Sequence, residues 1–161
     1  MIAARHLPLI ARFLAVAVLA GAPVSSRADE EKIAFEQLPP AVQSAARKHL
    51  GPSELKGAVK ETDDQGAVAY EIETSENGKD KDIVLDSDGR LLEISRELDV
   101  SALPPPVLEG IRALASGGRI LEAESTDRGG IVTYEAVVIT PAGRLSKFRV
   151  DAEGRKLAPN P

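Results

Sequence analysis

The sequence predicts an α+β fold made of tandem helix-then-antiparallel-strands repeats, αβββ(β) twice, with both helices on one face of a continuous antiparallel sheet. Two observations predict it. First, the chain repeats itself. Leu38-Pro39-Pro40, Tyr70-Glu71 and Asp86-Ser87-Asp88-Gly89-Arg90 recur as Leu103-Pro104-Pro105, Tyr134-Glu135 and Asp151-Ala152-Glu153-Gly154-Arg155. The offset is 65 residues at both ends and 64 at the Tyr-Glu pair. Register held over that length marks two copies of one supersecondary unit. Second, within each copy the apolar pattern changes from helical spacing to alternation, so one helix precedes several half-buried strands.

In the first copy, proline at 39 and 40 suits the first turn of a helix. Ala41, Val42, Ala45, Ala46 and Leu50 then form an apolar stripe that Gly51-Pro52 ends. Residues 55–62 read as a strand and 63–66 as a turn. Over 67–74, Val68, Tyr70 and Ile72 fall on one face, Glu71 and Glu73 on the other. Asn77-Gly78 signals a hairpin. Residues 81–86 follow as a strand with Ile83 and Leu85 inward. A turn at 87–89 leads to a strand over 90–98 carrying Leu92 and Ile94 inward.

The second copy repeats this order. Val107, Leu108, Ile111 and Leu114 line a helix over 104–115, and Gly117-Gly118 ends it. Residues 120–126, 131–140 and 144–150 read as strands, with a short last one at 155–157. Gly129-Gly130 and the turns at 141–143 and 151–154 punctuate them. Tyr70 and Tyr134 stand out among only two tyrosines, three phenylalanines and no tryptophan. Their phase places both with the core.

The domain organisation expected is a signal peptide over 1–28, a flexible lead-in over 29–37, repeats over 38–98 and 99–157, and a tail over 158–161. Arg5 and Arg12 lie beside a 12-residue apolar run, Phe13 to Val24, with no acidic residue before Asp29. The run is short for a membrane span, and Ser26-Arg27-Ala28 offers small residues for cleavage after Ala28. A periplasmic or secreted location follows. With no cysteine, the chain has neither a disulfide nor a lipoprotein anchor. Cleavage removes three arginines, leaving 17 basic against 25 acidic residues, a net charge of −8. Such a charge disfavours nucleic acid and anionic membrane surfaces, and suits solubility or a basic protein partner.

No catalytic set emerges, and no cofactor is expected. His49 is the one histidine after cleavage. At a helix C-terminus it suits the helix dipole better than a triad or a zinc site; with one histidine and no cysteine, a zinc site would need carboxylates for its remaining ligands. Asp86-Ser87-Asp88-Gly89 begins like a calcium loop, with Glu97 at the twelfth place. Its glycine is fourth rather than sixth, however, and the residues after it read as a strand. A tight turn explains it more simply. Glu71, Glu73 and Asp82 gather on the strand face turned from the core, and Glu135, Lys147 and Arg149 occupy the matching face of the second copy. Carboxylate pairs can run acid–base chemistry; on a half-buried sheet they are ordinarily solvated. The difference in charge between the copies offers a polarised face that a partner can read.

The run Tyr70-Glu71-Ile72-Glu73, then Ile83-Val84-Leu85-Asp86-Ser87-Asp88-Gly89-Arg90-Leu91-Leu92, resembles the PepSY-like, beta-lactamase-inhibitor-like (BLIP-like) family of small exported domains. Tyr134-Glu135-Ala136-Val137 and Phe148-Arg149-Val150-Asp151-Ala152-Glu153-Gly154-Arg155-Lys156-Leu157 match in the second copy. The resemblance covers residues 38–157 and consists of turn and core residues. It implies a non-enzymatic exported module that binds or inhibits a protein or peptide in the cell envelope, with no catalytic residues. Inhibitor members are disulfide-bonded, and this chain has no cysteine. The alternative function is divalent-cation (calcium) binding through the acidic turns at Asp63, Asp64, Asp86 and Asp88.

Overall fold

The computed structural model describes residues 29–158. The expected signal segment with its cleavage site, and the last three residues of the tail, lie outside the described residues. Strand β1 (Asp29–Ile33) leads through a 3-10 turn (Phe35–Gln37) into helix α1 (Pro40–Leu50). Four strands follow: β2 (Glu54–Thr62), β3 (Val68–Glu76), β4 (Lys79–Asp86) and β5 (Leu91–Leu98). A second 3-10 turn (Val100–Ala102) precedes α2 (Pro105–Ala115), then β6 (Arg119–Arg128), β7 (Ile131–Ile139) and β8 (Leu145–Asp151). The strands make one sheet in sequence order, β1 to β8, antiparallel throughout.

Both helices cover the same face, each over its own strands. Val42 and Ala46 of α1 pack with Phe35, Leu38, Ala58, Tyr70, Ile72, Ile83 and Leu85. Val107, Ile111 and Ala115 of α2 pack with Leu103, Ala123, Ala136, Val138 and Val150. Burying these side chains is the main stabilising term, at about 25 cal/mol per Å² of apolar surface. Proline stands at the start of each helix, where its missing N–H costs nothing.

The turns that recur in the sequence recur in detail. Asp86 Oδ1 accepts from the backbone N–H groups of Asp88 (3.0 Å) and Arg90 (2.8 Å), while Oδ2 accepts from Arg90 Nε (3.0 Å). Asp151 does the same with Glu153 (3.0 Å), Arg155 (2.9 Å) and Arg155 Nε (2.7 Å). Gly89 and Gly154 close these turns at φ of +79° and +78°, where a side chain is strained. Each turn also docks on a helix. A Cβ on Gly89 would stand 2.6 Å from the Ala41 carbonyl oxygen, and one on Gly154 would strike the Pro106 carbonyl. Glycine is therefore required twice over at both positions.

Three features differ from the sequence reading. Residues 29–37 are no flexible lead-in: β1 pairs with β2 from Asp29↔Thr62 to Ile33↔Ala58, and Phe35 is buried in the first core. The pattern Asp29-Glu30-Glu31-Lys32 hid a strand because an edge strand tolerates charge on both faces. The expected last strand at 155–157 reduces to a bridge, Lys156↔Val150, with Leu157 N–H donating to the Arg149 carbonyl at 2.8 Å. Leu92 does not point to the helices. A register shift between Val84 and Leu85 turns it onto the opposite face, where it packs with Ala69 and Val84.

Candidate functional site

The sheet face turned from the helices holds all six residues singled out for it. Glu73 on β3 stands opposite Asp82 on β4, and Glu71 lies two residues along β3 on the same face. Glu135 on β7 stands opposite Arg149 on β8, and Lys147 opposite Val137. No described helix packs on this face. Charge is distributed unevenly over this face, and the second copy adds Glu122, Glu124, Glu135 and Asp151 to it. The open-face positions of β3, β4 and β5 carry Glu71, Glu73, Asp80, Asp82, Asp86, Glu93 and Glu97 and no lysine or arginine, while β8 brings Lys147 and Arg149.

The electrostatics depart from a simple solvated face. Glu71 is only 5 % exposed and Glu93 only 2 %. Burial, then the neighbouring charge of Asp82 and Glu61, a hydrogen bond with Glu61, and the charge of Glu73 push the Glu71 carboxyl up to about 9. Glu71 therefore holds its proton more tightly than an ordinary carboxyl, with Glu61 as its hydrogen-bond partner. Glu124 on β6, opposite Glu97 and Glu135, is raised to about 7. Burial is the leading cause and Glu135, Asp82 and Glu93 add to it, against a hydrogen bond from Thr126 at 3.1 Å. Glu93 accepts from Ser95 Oγ at 3.0 Å and pairs with Arg128 Nε of β6. Lys147 Nζ lies 2.8 Å from Glu135 Oε1, an ion pair.

Glu61, Glu93, Glu124 and Arg128 were missed from the sequence. Alternation alone puts them on the open face, but only the register, β2 to β3 and β5 to β6, brings them beside Glu71 and Glu135.

The other candidates resolve structurally. His49 lies in the last turn of α1, but the group that closes that helix is Lys81. Lys81 Nζ donates to the carbonyls of His49 (3.0 Å) and Leu50 (3.1 Å) and to Ser53 Oγ (3.1 Å). In the acidic turns, Asp63 Oδ1 accepts from the N–H groups of Gln65 (2.9 Å) and Ala67 (2.7 Å), and Asp86 is engaged as above. Among the described residues no group of three or more potential ligands is placed to hold a metal ion. Tyr70 belongs to the first core, and Tyr134 packs half-buried on the second.

No family profile and no curated protein matches this chain. Solved structures do. A DUF2874 family protein from Bacteroides ovatus is similar at 16 % identity and a TM-score of 0.61, over 76 % of this chain and 86 % of that one. A candidate periplasmic protein from Bacteroides eggerthii gives 17 %, 0.62, 75 % and 86 %. A BLIP-like protein from Bacteroides fragilis gives 18 %, 0.59, 75 % and 84 %. At such identities the likeness concerns the fold. It supports the BLIP-like part of the sequence resemblance; the PepSY-like part and the reading as two tandem copies draw no support from it. Among the described residues no helix is long and apolar enough to cross a membrane.

Proposed function

We propose that this chain is an exported, non-enzymatic binding module whose partner, a protein or peptide of the cell envelope, docks on the open face of the sheet. One observation carries the reading: eight strands present a face that no described helix covers, with carboxylates concentrated on β3 to β5 and Lys147 and Arg149 on β8. Charge arranged in this way steers encounter and fixes the orientation of a partner. Export is supported by the basic and apolar opening segment and by the likeness in fold to a candidate periplasmic protein. A binding role is supported by the likeness in fold to a BLIP-like protein. Glu71, Glu73, Asp82, Glu135, Lys147 and Arg149 are the contact residues in this reading.

The test is affinity capture from envelope extract with the wild-type chain, Glu73→Lys on the open face and Glu109→Lys on the exposed side of α2. A partner retained by wild type and Glu109→Lys but lost by Glu73→Lys supports the reading. Equal capture by all three places the partner elsewhere, and no capture at micromolar protein counts against a binding role.

A further inference from the structure

The two halves of the sheet are joined unequally on its two faces. On the helix face each half has its own core, and the two cores are separate. Between them runs the seam of β5 and β6. There the helix-face pairs are Ile94↔Asp127 and Arg96↔Ser125, which belong to neither core, and Arg96 is exposed. Apolar packing crosses at the far end, where Leu98 meets Ala123 and Val100 beyond it packs on the second core. On the open face the seam is closed by side chains: Glu93 of β5 pairs with Arg128 of β6. A sheet that lacks packing under one junction bends most readily there, because local opening follows the density of buried contacts.

We propose that the β5–β6 seam is a proton-controlled hinge, fixed at Leu98–Ala123, latched on the open face by Glu93–Arg128, and loosened when Glu124 ionises. Glu124 sits in the seam beside the latch. From β5 it faces Glu97 directly and Glu93 along the strand; from β7 it faces Glu135; Asp82 of β4 acts on it from further across. On its own strand Glu122 shares the face, Thr126 donates to it and Arg128 serves Glu93. The nearest cations beyond β7 are Lys147, paired with Glu135, and Arg149, opposite Glu135. Removing the proton of Glu124 therefore adds a negative charge among carboxylates. The sign is fixed by its raised value: uncharged below about 7 the group leaves the seam closed, and charged above it repels both flanking strands. Because the hinge lies under the open face, its angle sets the curvature of that face whatever binds there.

The chain has no cysteine, so a pair of spin labels can be placed cleanly. Ser44→Cys on α1 and Ala113→Cys on α2, both exposed, report the angle between the halves. Electron–electron distances are measured at about pH 5 and about pH 8.5, on either side of the Glu124 titration. The expected result is one narrow distribution at the lower pH and a broadened or shifted one at the higher. Glu124→Gln, a neutral side chain of the same shape, stays narrow at both; Arg128→Met, which removes the latch, is broad at both. Identical wild-type distributions at the two pH values overturn the inference, as does a pH response that survives in Glu124→Gln or a narrow Arg128→Met. Since no partner is added, the outcome is independent of whether the open face binds anything.

Discussion

Lys81, on β4, reaches across to the His49 carbonyl oxygen at 3.0 Å and closes the C-terminal end of α1. The last carbonyls of a helix lack intrahelical partners and carry partial negative charge, so a buried ammonium there satisfies both needs. Lys81 is thereby a tie between the first helix and the centre of the sheet, and Glu76 Oε2 stands 3.6 Å from its Nζ.

Replacing Lys81 with Met keeps the aliphatic stem and removes three donated hydrogen bonds. The expected loss is about 1–3 kcal/mol in urea unfolding, with an unchanged m-value. A change under a few tenths would mean that water replaces the ammonium without cost.

Gly89→Ala and Gly154→Ala should each cost more than Gly66→Ala. All three glycines have φ near +79°, but a Cβ at 66 meets nothing within 4 Å, whereas one at 89 or 154 meets a helix carbonyl. Conformational strain alone is about 1 kcal/mol; the collision raises the cost to roughly 2 kcal/mol or more. Thermal melts of the three variants rank them. Equal losses would show that the turns yield without disturbing the helices.

Stability should fall as pH rises, in part through Glu71. Its carboxyl sits near 9 in the fold against 4.5 as the ordinary value. A raised carboxyl pKa means that the folded state binds the proton more tightly than the unfolded chain. The contribution is therefore best below about 4.5 and is lost progressively as pH rises toward 9. Glu71→Gln supplies the neutral form permanently, so its melting temperature should exceed wild type at pH 7, by an amount corresponding to on the order of 2 kcal/mol. The difference should vanish in acid. A Glu71→Gln chain less stable than wild type across the whole range would show that the carboxyl is ionised in the fold.

Calcium should leave the melting temperature unchanged. Asp63 and Asp86 spend side-chain oxygens on backbone N–H groups of their own turns. A calorimetric titration giving heat, together with a raised melting point, would mean that these turns rearrange around the ion.

What was legible in the sequence is what local chemistry dictates. Pro39 and Pro40, Gly89 and Gly154, and the alternation through Val68, Tyr70 and Ile72 each act within a few residues, so helix starts, turns and core faces could be read directly. Leu92 could not: one extra residue in β5 reverses its face, and bulges leave no alternation to follow. Lys81 looked like an ordinary strand residue because its partners lie about 30 positions earlier in the chain. The open face was legible as a face through Glu71, Glu73 and Asp82. Its electrostatics were not, because the state of Glu71 depends on Glu61, a strand away. Strand β1 escaped notice because its residues are chosen for an edge rather than for a core.

The two ends of the sheet carry a consequence for how the molecule meets others. At one margin β1 is short and densely charged; at the other, β8 is already engaged by Lys156 and Leu157. Among the described residues, the charge on β1 and the bridge on β8 both work against pairing with a foreign strand. Both margins are thereby blunted against open-ended stacking of the chain with further copies of itself.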